Sequence, residues 1–209
     1  MASRVAAAVT GRGRGLGLIQ ARSTVFFLCD IQEKFRDKIH AFESMVQVAQ
    51  KMSRVSKTME IPLVVTEQYP KGLGHTADEI DIGHAALVES KTKFSMVTDG
   101  VAQMLRDTGA RSVVLYGAES HVCVLQTCLE LLDAQYDVHV LADGVSSINA
   151  PEIDIALGRM GRAGAHITSS ESIILQLVGD SAAPHFKAIS ALVKEYQAAA
   201  RQNKLLFRD

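Results

Sequence analysis

Ser112-Val113-Val114-Leu115-Tyr116-Gly117-Ala118-Glu119-Ser120-His121-Val122-Cys123 passes from an apolar run, through a glycine, into a polar turn. The run 113–116 has no polar interruption, which suits a strand covered on both faces. Residues 122–134 then keep apolar side chains at helical spacing. The segment therefore reads as strand, turn and helix, with Cys123 where the helix begins.

The same alternation extends in both directions. Residues 24–28 are a second fully apolar run, followed by a helical pattern over 44–59. Pro62 introduces a strand at 63–66, and a loop with Pro70, Gly72 and Gly74 follows. Strands are expected at 87–90, 138–142 and 165–168. Helices are expected at 99–108, 152–162, 172–178 and 185–200. Strands that alternate with helices pair in parallel, because parallel neighbours need crossover connections. In such a sheet ligands bind beyond the carboxyl ends of the strands, near the point where strand order reverses. Polar residues just past an apolar strand are thus the candidates for chemistry.

Three strand ends carry them. The first strand runs into Cys29-Asp30-Ile31-Gln32, the third into Lys91, and the fourth into the turn before Cys123. A helix amino terminus and a nearby ammonium both favour a thiolate. A carboxylate can shuttle protons, and a tight turn can aim N–H groups at an oxyanion. The packing alternatives are plain: Cys123 as a small core residue, Lys91 as a solvated strand-end charge, Asp30 as a cap. Cys29, next to Asp30 on a strand, is expected to point to the opposite face. Cys128, about 140° around the helix from Cys123, is expected to be packing. His121 is expected to line a wall or the surface rather than pair with Cys123.

Composition bounds the rest. The chain has 209 residues, 47% of them hydrophobic and 22% charged, which suits one domain with a substantial core. No stretch is long and apolar enough to suggest a membrane span. Net charge is −1; residues 1–22 hold four arginines and no acid, so that segment is +4 and the remainder −5. An acidic body does not suit binding to nucleic acid through phosphate neutralisation. Residues 1–22 read either as a flexible tail or as a mitochondrial targeting segment, and 23–209 as the folded domain. Three cysteines without secretory spacing point to a reducing, intracellular setting, mitochondrial or cytoplasmic.

The segments 28–35, 91–96 and 116–127 together resemble the isochorismatase-like cysteine hydrolase superfamily. The loop Thr66-Glu67-Gln68-Tyr69-Pro70 and the stretch 174–180 resemble its eukaryotic isochorismatase domain-containing members. The resemblance covers roughly 23–194. It implies a three-layer αβα Rossmann-like sandwich around a six-stranded parallel sheet of order 3-2-1-4-5-6. It implies Asp30 as general acid/base, Lys91 as the catalytic lysine and Cys123 as the nucleophile. Lys91 is preferred to Lys93 because the family pattern places an aromatic residue, here Phe94, three positions later. It further implies a non-proline cis peptide at Ala118–Glu119, with the backbone N–H groups of Glu119 and Cys123 as oxyanion hole.

Gln68, Tyr69 and Phe35 are candidate substrate contacts, with loop capping as the alternative for Gln68 and Tyr69. Nicotinamidases carry an acid and a histidine pair after the second strand. Here that place reads Glu67-Gln68-Tyr69-Pro70-Lys71-Gly72, with His75 nearby, so no metal and no cofactor are expected. The expected activity is hydrolysis of a small amide- or carbamoyl-type substrate through a thioester. Alternatives are vinyl ether hydrolysis, a ribonuclease-type activity using the basic tail, and a catalytically quiet member acting through protein partners. A homo-oligomer is expected from the resemblance.

Overall fold

The computed structural model describes residues 15–207. Its six strands are β1 (Thr24–Cys29), β2 (Leu63–Gln68), β3 (Leu87–Lys91), β4 (Ser112–Ala118), β5 (Asp137–Ser146) and β6 (His166–Thr168). They form one sheet in the order β3-β2-β1-β4-β5-β6, every pair parallel. The strand order expected above is the one observed. β1 and β4 are buried along their whole length, whereas β3 at the edge alternates half-buried and exposed positions. That contrast follows from position, because central strands are covered on both faces.

The helices on the two faces are α1 (Phe42–Met59), α2 (Pro70–Leu73), α3 (Asp99–Asp107), α4 (Leu125–Asp133), α5 (Ala150–Ala163), α6 (Ser170–Val178), α7 (Phe186–Glu195) and α8 (Gln197–Arg201). Local chemistry sets several ends. The Thr98 hydroxyl accepts from Val101 N–H to cap α3, and Ser169 does the same for Ser172 N–H at α6. Gly164, at φ 116°, stops α5. The single helix expected over 185–200 is two, broken at Tyr196. Buried apolar residues from both faces meet around Phe26, Phe27, Leu28, Met45, Met52, Leu115 and Tyr116. Each such side chain contributes about 1.5–3 kcal/mol on leaving water.

Of the expected tail, residues 1–14 lie outside the described residues. Ile19 is buried, and Gly17 O accepts from Gln176 Nε2 at 2.8 Å. Among the described residues, no helix is long and apolar enough to cross a membrane.

The sheet also buries an imidazole away from its rim. His139 in β5 is 1% exposed and stacks on His166 with ring centroids 4.9 Å apart. Burial, then the neighbouring His166, pushes its imidazole from 6.5 down to about 4. Unfolded chain therefore takes up a proton that the native state refuses between those values. The neutral ring's full contribution is present above about pH 6.5 and is lost as pH falls towards 4. Urea midpoints should show wild type losing about 2 kcal/mol between pH 7 and pH 5 that His139→Leu does not lose. Equal acid sensitivity of the two proteins would assign the loss to other groups.

Candidate active site

Three neighbouring strands end in the same way at one rim. Asp30, Tyr69 and Glu119 are the first residues after β1, β2 and β4, and all three adopt left-handed backbone, with φ of 50°, 38° and 60°. Non-glycine residues avoid this region unless the surroundings hold them there. The rim lies where strand order reverses between β1 and β4, the place expected for ligand chemistry.

Asp30 is 1% exposed, and each carboxylate oxygen is engaged. Thr66 Oγ1 donates to Oδ1 at 2.8 Å, and Lys91 Nζ donates to Oδ2 at 2.6 Å. Lys91 comes from β3, which is not a neighbour of β1; its long side chain reaches across the end of β2. Its other ammonium protons go to Gln68 Oε1 at 2.7 Å and Phe94 O at 3.0 Å. Burial alone would lower Lys91, but the acidic groups Cys29, Asp30 and Cys123 around it outweigh burial and hold it above the ordinary lysine value.

Cys123 is 5% exposed and sits in a π-helical turn, Ser120–Val124, that precedes α4. The expected α-helix from residue 122 is corrected accordingly: the nucleophile candidate lies inside the wider turn. Thr127 Oγ1 donates to Cys123 O at 2.7 Å and accepts from Met96 N–H at 2.9 Å, tying this turn to the loop after Lys91. The expected cis peptide at Ala118–Glu119 is also corrected, since no cis bond occurs among the described residues. The chain reverses instead through Gly117 at φ 140° and left-handed Glu119. Glu119 O then accepts from Val122 N–H and Val124 N–H at 3.0 and 3.2 Å.

Cys29 departs most from expectation. Its thiol does not point away from Asp30: Sγ donates to Asp30 Oδ2 at 3.6 Å. The alternation of side chains along a strand holds only while the backbone stays extended. Left-handed Asp30 ends that regularity and folds its carboxylate back towards Cys29. Burial first, then the influence of Cys123 and the Asp30 charge, raise the Cys29 thiol well above its ordinary value. Cys128 is fully buried, and burial pushes it up to about 12.

The other candidates divide. Gln68 orders the site through Lys91, and its Nε2 donates to Thr92 O at 2.9 Å. Tyr69 is 56% exposed, with its ring against Gly72. Phe35 is half-buried against the core in the short 3₁₀ turn Glu33–Phe35. His121 Nδ1 lies 3.0 Å from Ser147 Oγ and 3.3 Å from Glu119 Oε2, a network beside Cys123. Burial raises the Glu119 carboxyl, with His121 and the Ile148 N–H opposing. Glu67 is buried too, but hydrogen bonds from Thr76 N–H, His75 and the Thr76 hydroxyl outweigh that and lower it. Among the described residues no three His, Cys, Asp or Glu side chains cluster to hold a metal.

Cavities of about 580, 510 and 390 Å³ are lined by other residues, and Asp30, Lys91 and Cys123 are each no more than 5% exposed. Sequence reasoning missed Thr66, Thr127 and Cys29 as members of the site. A polar threonine closing an apolar strand was the available signal for Thr66.

A parallel α/β sheet with an acid, a lysine and a cysteine at its switch point defines the class. Residues 24–172 match the Isochorismatase domain family, and the chain belongs to that family of isochorismatase-like hydrolases. It is 46% identical over 192 residues to Isochorismatase domain-containing protein 1 of Salmo salar, covering 91% of this chain and 67% of that protein. It is 44% identical over 183 residues to Isochorismatase domain-containing protein 2 of Xenopus laevis, covering 87% and 89%. The chain spans about two thirds of the length of the protein 1 relatives it matches. The structure of MAR1 ribonuclease from Caenorhabditis elegans superposes with a TM-score of 0.81 at 40% identity, covering 84% of this chain and 92% of that one.

Gly117 is what lets the turn approach β1. A Cβ there would overlap Cys29 O and lie 2.7 Å from Cys29 N, on a backbone at φ 140°. Gly109, at φ 63°, has open space around it. Gly117→Ala should cost about 3 kcal/mol or more in urea denaturation, and Gly109→Ala about 1 kcal/mol. Equal losses would show that the close approach is not what demands glycine.

Proposed function

We propose that this family member is a cysteine hydrolase acting on a small amide- or carbamoyl-type substrate. The observation that carries the reading is the buried Lys91–Asp30 pair at the rim, beside the buried Cys123 of the turn that follows β4. In this reading Asp30 takes the Cys123 proton and Cys123 Sγ attacks the substrate carbonyl carbon. Backbone N–H groups of Glu119 and Cys123 receive the oxyanion. Asp30 then passes its proton to the departing amine, leaving a thioester on Cys123. A water deprotonated by Asp30 attacks that carbonyl, and the acid and the free thiol are released. Lys91 keeps Asp30 ionised between steps. The near-complete burial of Asp30, Lys91 and Cys123 suits a substrate of few atoms.

A second reading is RNA cleavage, supported by the name of the Caenorhabditis elegans neighbour. The −5 charge of the chain beyond residue 22 opposes an approaching polyanion. A third, a quiet member acting through partners, draws on the near-complete burial of the acid, lysine and cysteine.

A panel of primary amides, ureas and carbamoyl compounds, with single-stranded RNA as a further arm, separates these. Wild type should turn over a small amide or carbamoyl compound, with an acyl adduct trapped on Cys123. Cys123→Ala should lose about a thousandfold or more in kcat on that compound. Undiminished turnover by Cys123→Ala would sink the thioester reading, and cleavage of RNA alone would establish the second.

A further inference from the structure

Lys51 stands on the buried face of α1, in the stripe of Val48, Met52 and Val55, where helical spacing calls for an apolar side chain. It is 4% exposed, and among the described residues its side chain makes no hydrogen bond or ion pair. Lys91, also buried, has three acceptors by contrast. An ammonium withdrawn from water needs an acceptor, because its lost hydration is otherwise uncompensated. Lys51 lines a cavity of about 510 Å³ bounded by α1, α6, α8 and residues 206–207. That volume falls in the range of small-ligand sites. Burial holds Lys51 below the ordinary lysine value, with the charges of Asp143 and Glu171 opposing. Both acids line the cavity, but neither ion-pairs with Lys51. Asp143 is engaged elsewhere: one carboxylate oxygen accepts from Ser170 N–H at 2.8 Å and the other from the Ser170 hydroxyl. Glu171 is exposed.

We propose that this cavity is a second ligand site, one that binds a small monocarboxylate with an apolar body. The carboxylate sits on the Lys51 ammonium and is shared with Arg201 of α8, which lines the same cavity. The hydrocarbon lies against Leu175, Leu206 and Phe207, which line it too and are otherwise 43%, 44% and 63% exposed. Large apolar side chains left in water beside a buried, unpaired cation match a ligand that is charged at one end and greasy at the other. The charge of Glu171 selects for a single negative charge, since it repels a dianion such as phosphate about twice as strongly as a carboxylate. This goes beyond the hydrolase reading and does not rest on it: Asp30, Lys91 and Cys123 do not line the cavity.

The test titrates full-length protein with octanoate, 1-octanol and inorganic phosphate at neutral pH and reads the heat of binding. Octanoate should bind once per chain, with octanol and phosphate each weaker by about tenfold or more. Lys51→Met keeps the unbranched stem and removes the charge; it should weaken octanoate by about tenfold or more. Leu175→Asp, at an exposed position, should weaken it by a similar factor, and Glu171→Gln should tighten it about threefold. Cys123→Ala should bind octanoate as wild type does. The proposal is overturned if octanoate gives no binding, or binds Lys51→Met and Leu175→Asp as tightly as wild type. Octanol equal to octanoate removes the ammonium from the site, and phosphate equal to octanoate removes the apolar body; either result overturns it. Loss of binding in Cys123→Ala would place octanoate at the rim instead and overturn it too. Leu175→Asp and the three-ligand comparison decide even if Lys51→Met does not fold. The amide panel succeeds or fails separately, since it reads turnover at Cys123.

Discussion

The rim of this sheet is organised by the ion pair between Lys91 Nζ and Asp30 Oδ2, at 2.6 Å with both side chains almost wholly buried. Neither charge could be buried alone without a cost of several kcal/mol, and removing one partner strands the other. The pair persists because every remaining bonding position is filled. Thr66 takes the second carboxylate oxygen, and Gln68 Oε1 and Phe94 O take the other ammonium protons. Those partners come from the segment after β3 and from β2, so the pair also ties the edge strand to the centre.

Backbone strain is gathered around the same point. Three adjacent strands each finish with a left-handed residue, Asp30, Tyr69 and Glu119. Each departs from extended geometry where a side chain or a backbone turn must face the rim rather than a helical layer. Strain of this kind costs on the order of 1–3 kcal/mol per residue and is held only by strong surroundings. The surroundings here are a core of apolar strands on either side of β1 and the hydrogen bonds of the ion pair.

Much of this was legible in the chain. Unbroken apolar runs at 24–28 and 113–116 can be accommodated only where both faces are covered, and their alternation with helical periodicity leads to a parallel sheet. Asp30 and Lys91 stood out because each sits at the carboxyl end of a strand, and Cys123 because a helical pattern begins there after a strand-end turn. Strand order and the pairing of roles came from the family resemblance rather than from periodicity. Cys29 was misread because alternation was carried one residue too far, across a backbone that had already turned. The trans turn through Gly117 and Glu119 likewise has no local signature beyond its glycine.

Order along the chain therefore decided which residues would arrive at the rim, because hydrophobic patterning sets where each strand stops and polarity begins. Which atoms touch was decided only on folding. Lys91 reaches Asp30 across an intervening strand, and Thr127 ties the Cys123 turn to Met96 of the loop after β3. Such contacts depend on dihedral angles and side-chain directions at strand ends, which packing of the whole sheet imposes and no local pattern encodes.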